Sequence, residues 1–408
     1  MARKAKRDLT MEEQLARGPL DLPFLMLVVL LLGIGLVMLF SASYYTAFRD
    51  STRPVLNNPY YYIQHQAAYA AAGLGGMYIV SKINYQRFRW MAPLLLAVSI
   101  ILLALCYTPL GVEINGVNRW LNVFLVAGPT FQPSEIAKVA VVLFFAARLC
   151  KRDTEKQRRF TKRTTTGRVL NKLEQIGFLE LVPYGAVMLL VLVLVVFEPH
   201  MSGTILILLG GASVVLVSGI SLKWFFGAGA IGGLGLWFIA TQTPYLTRKL
   251  ELWRDPWGAD AQGGGYQFRQ GIYSIASGGL LGRGLGESGQ KYGFVPEPEN
   301  DMIFTIVVEE LGLVGAFLIL FLFSMLILRG YWLALHARDK FGMLTIVGII
   351  TLLAAQVFLN IGVITGLIPN TGISLPFFSY GGTALMIQLG EMGMVLSISR
   401  QIPAPRKD

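Results

Sequence analysis

Charged residues are scarce in this 408-residue chain: Asp, Glu, Lys and Arg make up 14% of it, against roughly 25% in soluble domains. That shortage excludes an ordinary soluble enzyme and a disordered protein. Cysteine is nearly absent, with only Cys106 and Cys150, which excludes a disulfide scaffold. Both cysteines lie in apolar runs and, in the topology given below, fall near opposite membrane faces, too far apart to bridge, so they read as packing residues. The three histidines, His65, His200 and His336, are scattered, which makes a zinc site improbable. Neither a P-loop nor a nucleophile elbow is present, so energy from ATP is not handled here. No fixed-period repeat or inverted-repeat signature is visible either.

What the chain has instead is apolar length: 54% of it is hydrophobic, and runs of about 20 residues, enough to cross a bilayer, recur from Leu22 to near Arg400. The expected architecture is an all-α integral membrane protein with ten transmembrane helices. The spans are placed at 22–45, 61–81, 90–110, 133–150, 180–197, 201–219, 222–242, 302–328, 343–367 and 374–399. The first run ends near Ser41-Ala42-Ser43 but exceeds the 7–15 apolar residues of a signal core, so it reads as an uncleaved span. With a cytoplasmic N-terminus, the inner segments carry 25 Lys and Arg and the short outer loops carry 3, which fixes the orientation by the positive-inside rule. Both termini are then cytoplasmic. The chain divides into a tail over 1–20, a basic inner loop over 151–178, a large extracytoplasmic loop over 243–301 between spans seven and eight, and a tail over 401–408, all within one membrane domain. The net charge of +11 does not point to nucleic acid, because ten of the basic residues crowd between Arg148 and Lys172, the pattern of a face beside anionic lipid. Gly229 and Gly233 have the spacing of close helix packing.

Ionisable groups at membrane depth are costly and default to function, and four segments stand out. Gln132-Pro133-Ser134-Glu135-Ile136-Ala137-Lys138 opens the fourth span, with Glu135 and Lys138 on one helix face, where they form either a structural pair or part of a site. The outer loop 253–301 is too long and too aromatic for an idle connection, and a short helix is expected around Gln267–Ser277. Within it, Gly284-Leu285-Gly286-Glu287-Ser288-Gly289 matches G-x-G-x-x-G without any βαβ context and is rejected as a dinucleotide site. Pro296-Glu297-Pro298-Glu299-Asn300-Asp301 precedes the eighth span. Asp301 reads either as its N-cap, kept ionised by the helix dipole, or as a base for a sugar hydroxyl. Deeper in that helix Glu309 and Glu310 need partners, for which Lys138 is one candidate. Finally, residues 368–383 break the helix with two prolines and three glycines, and irregular backbone at that depth must line a cavity. Gln388 and Glu391 follow on the same helix.

With the third and fourth segments in view, the sequence resembles the SEDS family of bacterial cell-wall polymerases, the FtsW, RodA and SpoVE group. The matches are Gln132–Lys138, Gly264-Gly265-Tyr266-Gln267, Pro296-Glu297-x-x-x-Asp301, Glu309-Glu310-Leu311-Gly312 and Pro369–Thr383, in family order over nearly the whole chain. Asn370–Thr383 looks like the division (FtsW) or sporulation (SpoVE) branch. The resemblance implies a peptidoglycan glycosyltransferase at the outer face of the bacterial cytoplasmic membrane, at the division septum or with a sporulation or elongation role. Glycan on undecaprenyl pyrophosphate would be the donor, and the 4-hydroxyl of lipid II GlcNAc the acceptor. Asp301 matches the family's essential acid and general base, and Glu135 and Lys138 its intramembrane pair. A divalent cation, Mg or Mn, is expected, with Asp301 and Glu299 as candidate ligands, and a class B penicillin-binding protein and other divisome proteins as partners. Many members carry His-Thr where Glu299-Asn300 stand here, which should make the local field more negative.

A leaving pyrophosphate needs charge stabilisation at the water interface. The basic candidates are Arg248, Lys249, Arg254, Arg269, Arg283 and Lys291, with Glu297, Ser379 and Tyr380 as further substrate contacts. A lipid flippase using the Glu135–Lys138 pair as a path is the rival reading, opposed by the missing repeat symmetry and the large outer loop. A scaffold that only recruits the transpeptidase is the other.

Overall fold

The computed structural model describes residues 18–49, 58–114, 117–122, 130–151, 178–198, 200–220, 244–258 and 265–402, together with Gly227, Gly229, Gly232 and Gly235. The expected seventh span over 222–242, most of the basic loop over 151–178, Gly233, Gly264, most of the N-terminal tail and the last residues lie outside the described residues.

The apolar runs fold as helices: α1 (Leu22–Arg49), α2 (Tyr61–Lys82), α3 (Gln86–Leu105), α4 (Pro133–Leu149), α5 (Phe178–Phe197), α6 (Met201–Val217), α9 (Ile303–Leu335), α10 (Lys340–Ile364) and α11 (Gly382–Ser399). Two shorter helices, α7 (Pro244–Arg254) and α8 (Gly265–Gly278), stand between α6 and α9. The second covers the short helix expected around Gln267–Ser277. Helices α1, α3, α9, α10 and α11 are long and apolar enough to cross a membrane, and Leu181–Phe197 and Met201–Val217 are shorter apolar stretches.

The chain is mostly helical rather than all-α. Between α3 and α4 lies a three-stranded antiparallel sheet, β1 (Gly111–Ile114), β2 (Val117–Asn122) and β3 (Thr130–Phe131), in the order β1-β2-β3. Leu121 pairs with Phe131 and Asn122 with Thr130, and β3 runs directly into Pro133 of α4. Pro133 suits a first helical turn, where its missing N–H is no loss.

Small residues set the helix packing. The buried face of α2 is Tyr62, Gln66, Ala70, Gly73, Met77 and Ser81, a stripe at helical spacing that lets α11 approach closely. A side chain at Gly393 would overlap the Met77 carbonyl. The close packing expected of Gly229 and Gly233 falls on a segment that, Gly229 and three other glycines apart, lies outside the described residues.

Helix α9 is interrupted at Gly312, whose φ of 68° no other side chain adopts readily. The segment 279–284 fills the break. Arg283 N donates to the Glu309 carbonyl (3.0 Å), Gly284 N to the Glu310 carbonyl (3.0 Å), and Leu313 N to the Gly279 carbonyl (3.0 Å). Gly282 has φ 81°, and a Cβ on it or on Gly312 would strike the facing backbone.

The irregular run before α11 is satisfied by side-chain amides, as membrane depth requires. Gln66 Nε2 donates to the Ser379 carbonyl (3.2 Å) and its Oε1 accepts from Gly381 N (3.2 Å). Gln356 Nε2 donates to the Ser374 carbonyl (3.2 Å), and Gln388 Oε1 accepts from Phe377 N (3.2 Å). The expected tenth span accordingly becomes helical only from Gly382.

Candidate active site

A cavity of about 800 Å³ opens where α2, α4, α6, α11, the sheet and the turn before α9 converge. That volume lies in the range of small-ligand sites. Its lining includes Glu135, Lys138, Glu297, Asn300, Asp301, Ser379, Tyr380 and, Phe378 apart, the rest of the run 372–384, so the broken segment is a cavity wall.

Asp301 does not cap α9. The helix begins at Ile303, Met302 holds the cap position, and no side chain caps the end. The carboxylate instead accepts from Gln267 Nε2 (3.2 Å). Asn370 Nδ2 donates to Gln267 Oε1 (3.0 Å), which turns the amide so that its nitrogen faces Asp301. The main chain here is clamped as well: Asn360 Nδ2 donates to the Asp301 carbonyl (2.9 Å) and the Ile373 carbonyl (2.7 Å). Ser379 Oγ donates to the Asn300 carbonyl (2.6 Å) while accepting from Leu375 N (2.7 Å). Burial first, then the charge of Glu297, raises Asp301 to about 6, against the lowering pull of Lys249 and Gln267. The expectation of an acid held ionised by a helix dipole fails because the carboxylate never takes the cap position.

Glu297 adopts φ 46°, a strained backbone of the kind that collects at functional sites. Its Oε2 accepts from Asn300 Nδ2 (3.0 Å). Glu299 turns away from the cavity: it is buried, its pKa is raised by that burial, and its carboxyl sits against Tyr62 and Thr46. Its side chain therefore does not line the cavity beside Asp301, and the other carboxylate that this turn gives to the cavity is Glu297.

Lys138 pairs with Glu135 at 2.8 Å and not with Glu309 or Glu310. Glu391, buried on α11, lines the same cavity. His200, at the start of α6, lies with its Nδ1 3.2 Å from Ser134 Oγ. Burial, then the charges of Arg119 and Lys138, push it down to about 3, so it is a neutral hydrogen-bonding group.

The acidic pair of α9 finds its partners in the outer segment. Lys291 Nζ donates to Glu310 Oε1 (2.9 Å), Ser41 Oγ (3.0 Å) and the Gly286 carbonyl (2.6 Å). Glu309 accepts from Ser288 Oγ (2.6 Å), Ser274 Oγ (3.0 Å) and Gly289 N (3.0 Å), and Arg283 stands 3.4 Å away. Lys291 is thus a buried strut rather than a substrate contact. Arg269 is also buried and donates to the Pro256 carbonyl (2.8 Å). Neither they nor Arg248, Lys249, Arg254 and Arg283 line the cavity. Sequence reading missed Gln267, Asn360, His200 and Arg119 as site residues. For Gln267 and Asn370 the signal was present in motifs already singled out.

A family model described as "Cell cycle protein" (FTSW_RODA_SPOVE) matches residues 22–403. Among curated proteins, "Stage V sporulation protein E" of Bacillus subtilis is 36% identical over 93% of this chain and 97% of its own length. "Probable peptidoglycan glycosyltransferase FtsW" of Geobacter metallireducens is 34% identical over 94% of this chain and 95% of its own. Among solved structures, a chain of a peptidoglycan synthase complex that couples polymerization and crosslinking matches with a TM-score of 0.71 at 26% identity, covering 95% of this chain and 99% of that one. The rod shape determining protein RodA of Thermus thermophilus matches with a TM-score of 0.63 at 25% identity, covering 95% and 98%.

Proposed function

The chain belongs to the FtsW/RodA/SpoVE family of multipass membrane proteins, and from that premise we propose that it is a peptidoglycan glycosyltransferase that polymerises lipid II. One observation carries the assignment to a site: Asp301, released from helix capping and held by Gln267, presents a carboxylate with a pKa of about 6 to a cavity lined by polar groups. A base with that value is largely ionised at neutral pH and still able to accept a proton.

The 4-hydroxyl of the acceptor GlcNAc gives its proton to Asp301 as its oxygen bonds to the anomeric carbon of the donor. The bond from that carbon to the diphosphate oxygen breaks, and undecaprenyl pyrophosphate leaves. Gln267 and the clamp on residues 300–301 fix the carboxylate, and the Glu135–Lys138 pair with Glu391 supplies hydrogen-bonding groups deeper in the cavity. Because chain growth requires an outward site, the proposal includes ten spans with both termini cytoplasmic in the bacterial inner membrane, a septal or sporulation role, and a class B penicillin-binding protein as partner.

A divalent cation, Mg or Mn, fits the residues present. Among the described residues no group of three or more His, Cys, Asp or Glu forms a metal cage, but a hard cation needs only one or two carboxylates plus substrate phosphates. Glu297 would hold it, leaving Asp301 to take the proton. Such an ion would supply neutralisation of diphosphate charge.

Purified protein with its transpeptidase partner should form glycan strands from labelled lipid II, and folded Asp301→Asn should lose 10²–10⁴-fold of the rate, about the worth of a general base. Equal polymer from both would remove Asp301 from the role.

A further inference from the structure

Helix α6 begins at the cavity wall. Ser202, Gly203 and Leu206 from its first two turns line the cavity, together with His200 at the cap position. The bond from Thr204 N to the His200 carbonyl (3.1 Å) opens the helical ladder, so the N–H groups of residues 201–203 have no acceptor within the helix. The cap residue supplies none, because His200 makes no side-chain bond to the helix end. Its ring is drawn toward α4 instead, with Nδ1 3.2 Å from Ser134 Oγ and 3.3 Å from Gln132 Nε2. A Cβ on Gly203 would strike that ring, so the glycine lets the imidazole lie against the first turn.

A second feature completes this helix end. Ser202 is 4% exposed. Among the described residues no hydrogen bond reaches its Oγ, and that atom is not sealed from the cavity. A helical serine ordinarily returns its hydroxyl to the carbonyl four residues back, but the Glu198 carbonyl already accepts from Arg119 Nε (2.9 Å). A buried hydroxyl left without a partner is costly, whereas a ligand oxygen would satisfy it. The groups gathered here, main-chain N–H and one hydroxyl, can all donate, and they stand at the positive end of the helix dipole. That combination suits phosphate oxygens. The carboxylate that α4 brings to the cavity, Glu135, is paired with Lys138 at 2.8 Å, so that pair sets no net negative charge against an anion. We propose that the start of α6, with Ser202 as its side-chain donor, is a phosphate-binding subsite that takes the diphosphate of a polyprenyl-linked sugar. This rests on the glycosyltransferase reading of the cavity. The base Asp301 comes from a separate segment, the turn before α9, so the proton acceptor and the diphosphate cradle are independent elements. The diphosphate has two sources, the donor's leaving group and the acceptor's lipid anchor.

The test uses the full chain in phosphate-free detergent micelles, with undecaprenyl diphosphate as the probe and undecaprenol as its phosphate-free control. Ser202→Asp puts a carboxylate where a phosphate would sit, and should weaken undecaprenyl diphosphate binding by about 100-fold or more while leaving undecaprenol binding unchanged. The same carboxylate favours a helix N-terminus, so Ser202→Asp should melt at or above the wild-type temperature. Ser202→Ala removes one donor and should weaken diphosphate binding by about tenfold. Phosphatidylglycerol in equal amount should not displace the probe; displacement would make this a headgroup site and overturn the proposal. Turnover separates the two diphosphates. A raised KM for lipid II assigns the subsite to the acceptor, and a lowered kcat at saturating lipid II assigns it to the departing diphosphate. Ser202→Asp that binds undecaprenyl diphosphate as tightly as wild type, or that loses both ligands equally, overturns the proposal. So does weakened lipid II binding with undecaprenyl diphosphate binding intact, which would mean that the anion is a peptide carboxylate. If Ser202→Asp does not fold, the diphosphate-to-undecaprenol ratio is read on Ser202→Ala and decides the matter. Binding needs no turnover, so a chain that captures diphosphate through Ser202 yet never forms polymer would sink the polymerase reading and keep this one.

Discussion

One residue, Met302, separates Asp301 from Ile303, the first residue of α9, and that offset leaves the carboxylate facing the cavity instead of backbone N–H groups. Burial raises it from 3.8 to about 6, so between those values the folded chain holds a proton that the unfolded chain has released. The stability this confers is present at low pH and lost as pH rises through 6. Asp301→Asn cannot ionise and should melt at or above the wild-type temperature at pH 7–8, while losing activity; a lower melting temperature would contradict the burial argument. Gln267→Ala removes the only side-chain hydrogen bond described for Asp301 and should lower kcat by about 10–100-fold, the cost of a misplaced reacting group, with little change in KM. The residue identities at this site were legible in the sequence, because Asp301, Glu135 and Lys138 sit in motifs with a family signature. Their partners were not: Gln267 and Asp301 are 34 residues apart, and Gln66 reaches the Ser379 carbonyl across 313. Hydrogen bonds of that separation leave no local pattern. The burial of Glu299 was illegible for the same reason, since its neighbours Tyr62 and Thr46 come from distant helices.

At the scale of elements, the crossing of residues 279–284 with the break in α9 joins the outer segment to the membrane core. Two glycines with positive φ face each other there. Gly282→Ala or Gly312→Ala adds a strained backbone and a clash, and should cost at least about 2 kcal/mol, read as a lower melting temperature in detergent. The buried strut beside it gives a second prediction. Lys291→Met leaves Glu310 without its cation and should destabilise by roughly 3–5 kcal/mol. Adding Glu310→Gln should return part of that loss in a double-mutant cycle, and additive losses would show that the two do not act as a pair. The five helices long and apolar enough to cross a membrane were readable because a 20-residue apolar run has few alternatives there. The sheet was not, because β3 has only two residues and its pairing is set by the chain's return to α4. The third span was displaced, 90–110 against Gln86–Leu105, since hydropathy does not mark where Cys106 and Tyr107 leave the helix.

For the whole molecule, the proposed topology puts the segment around Leu281 outside and the α9–α10 turn around Arg338 inside. In a background lacking Cys106 and Cys150, Leu281→Cys should react with an impermeant maleimide in intact cells, and Arg338→Cys only after lysis. The reverse pattern would put the cavity on the wrong side for wall synthesis. The central claim is that Asp301 acts as the base of a polymerase in the ionisation state its cavity imposes. The pH dependence of lipid II polymerisation by the purified complex tests it most directly. The rate should rise with pH, reach half its plateau near pH 6, where Asp301 loses its proton, and remain at the background level at every pH in Asp301→Asn. A flat wild-type profile between pH 5 and 8, or an Asp301→Asn variant that follows the wild-type curve, would contradict it.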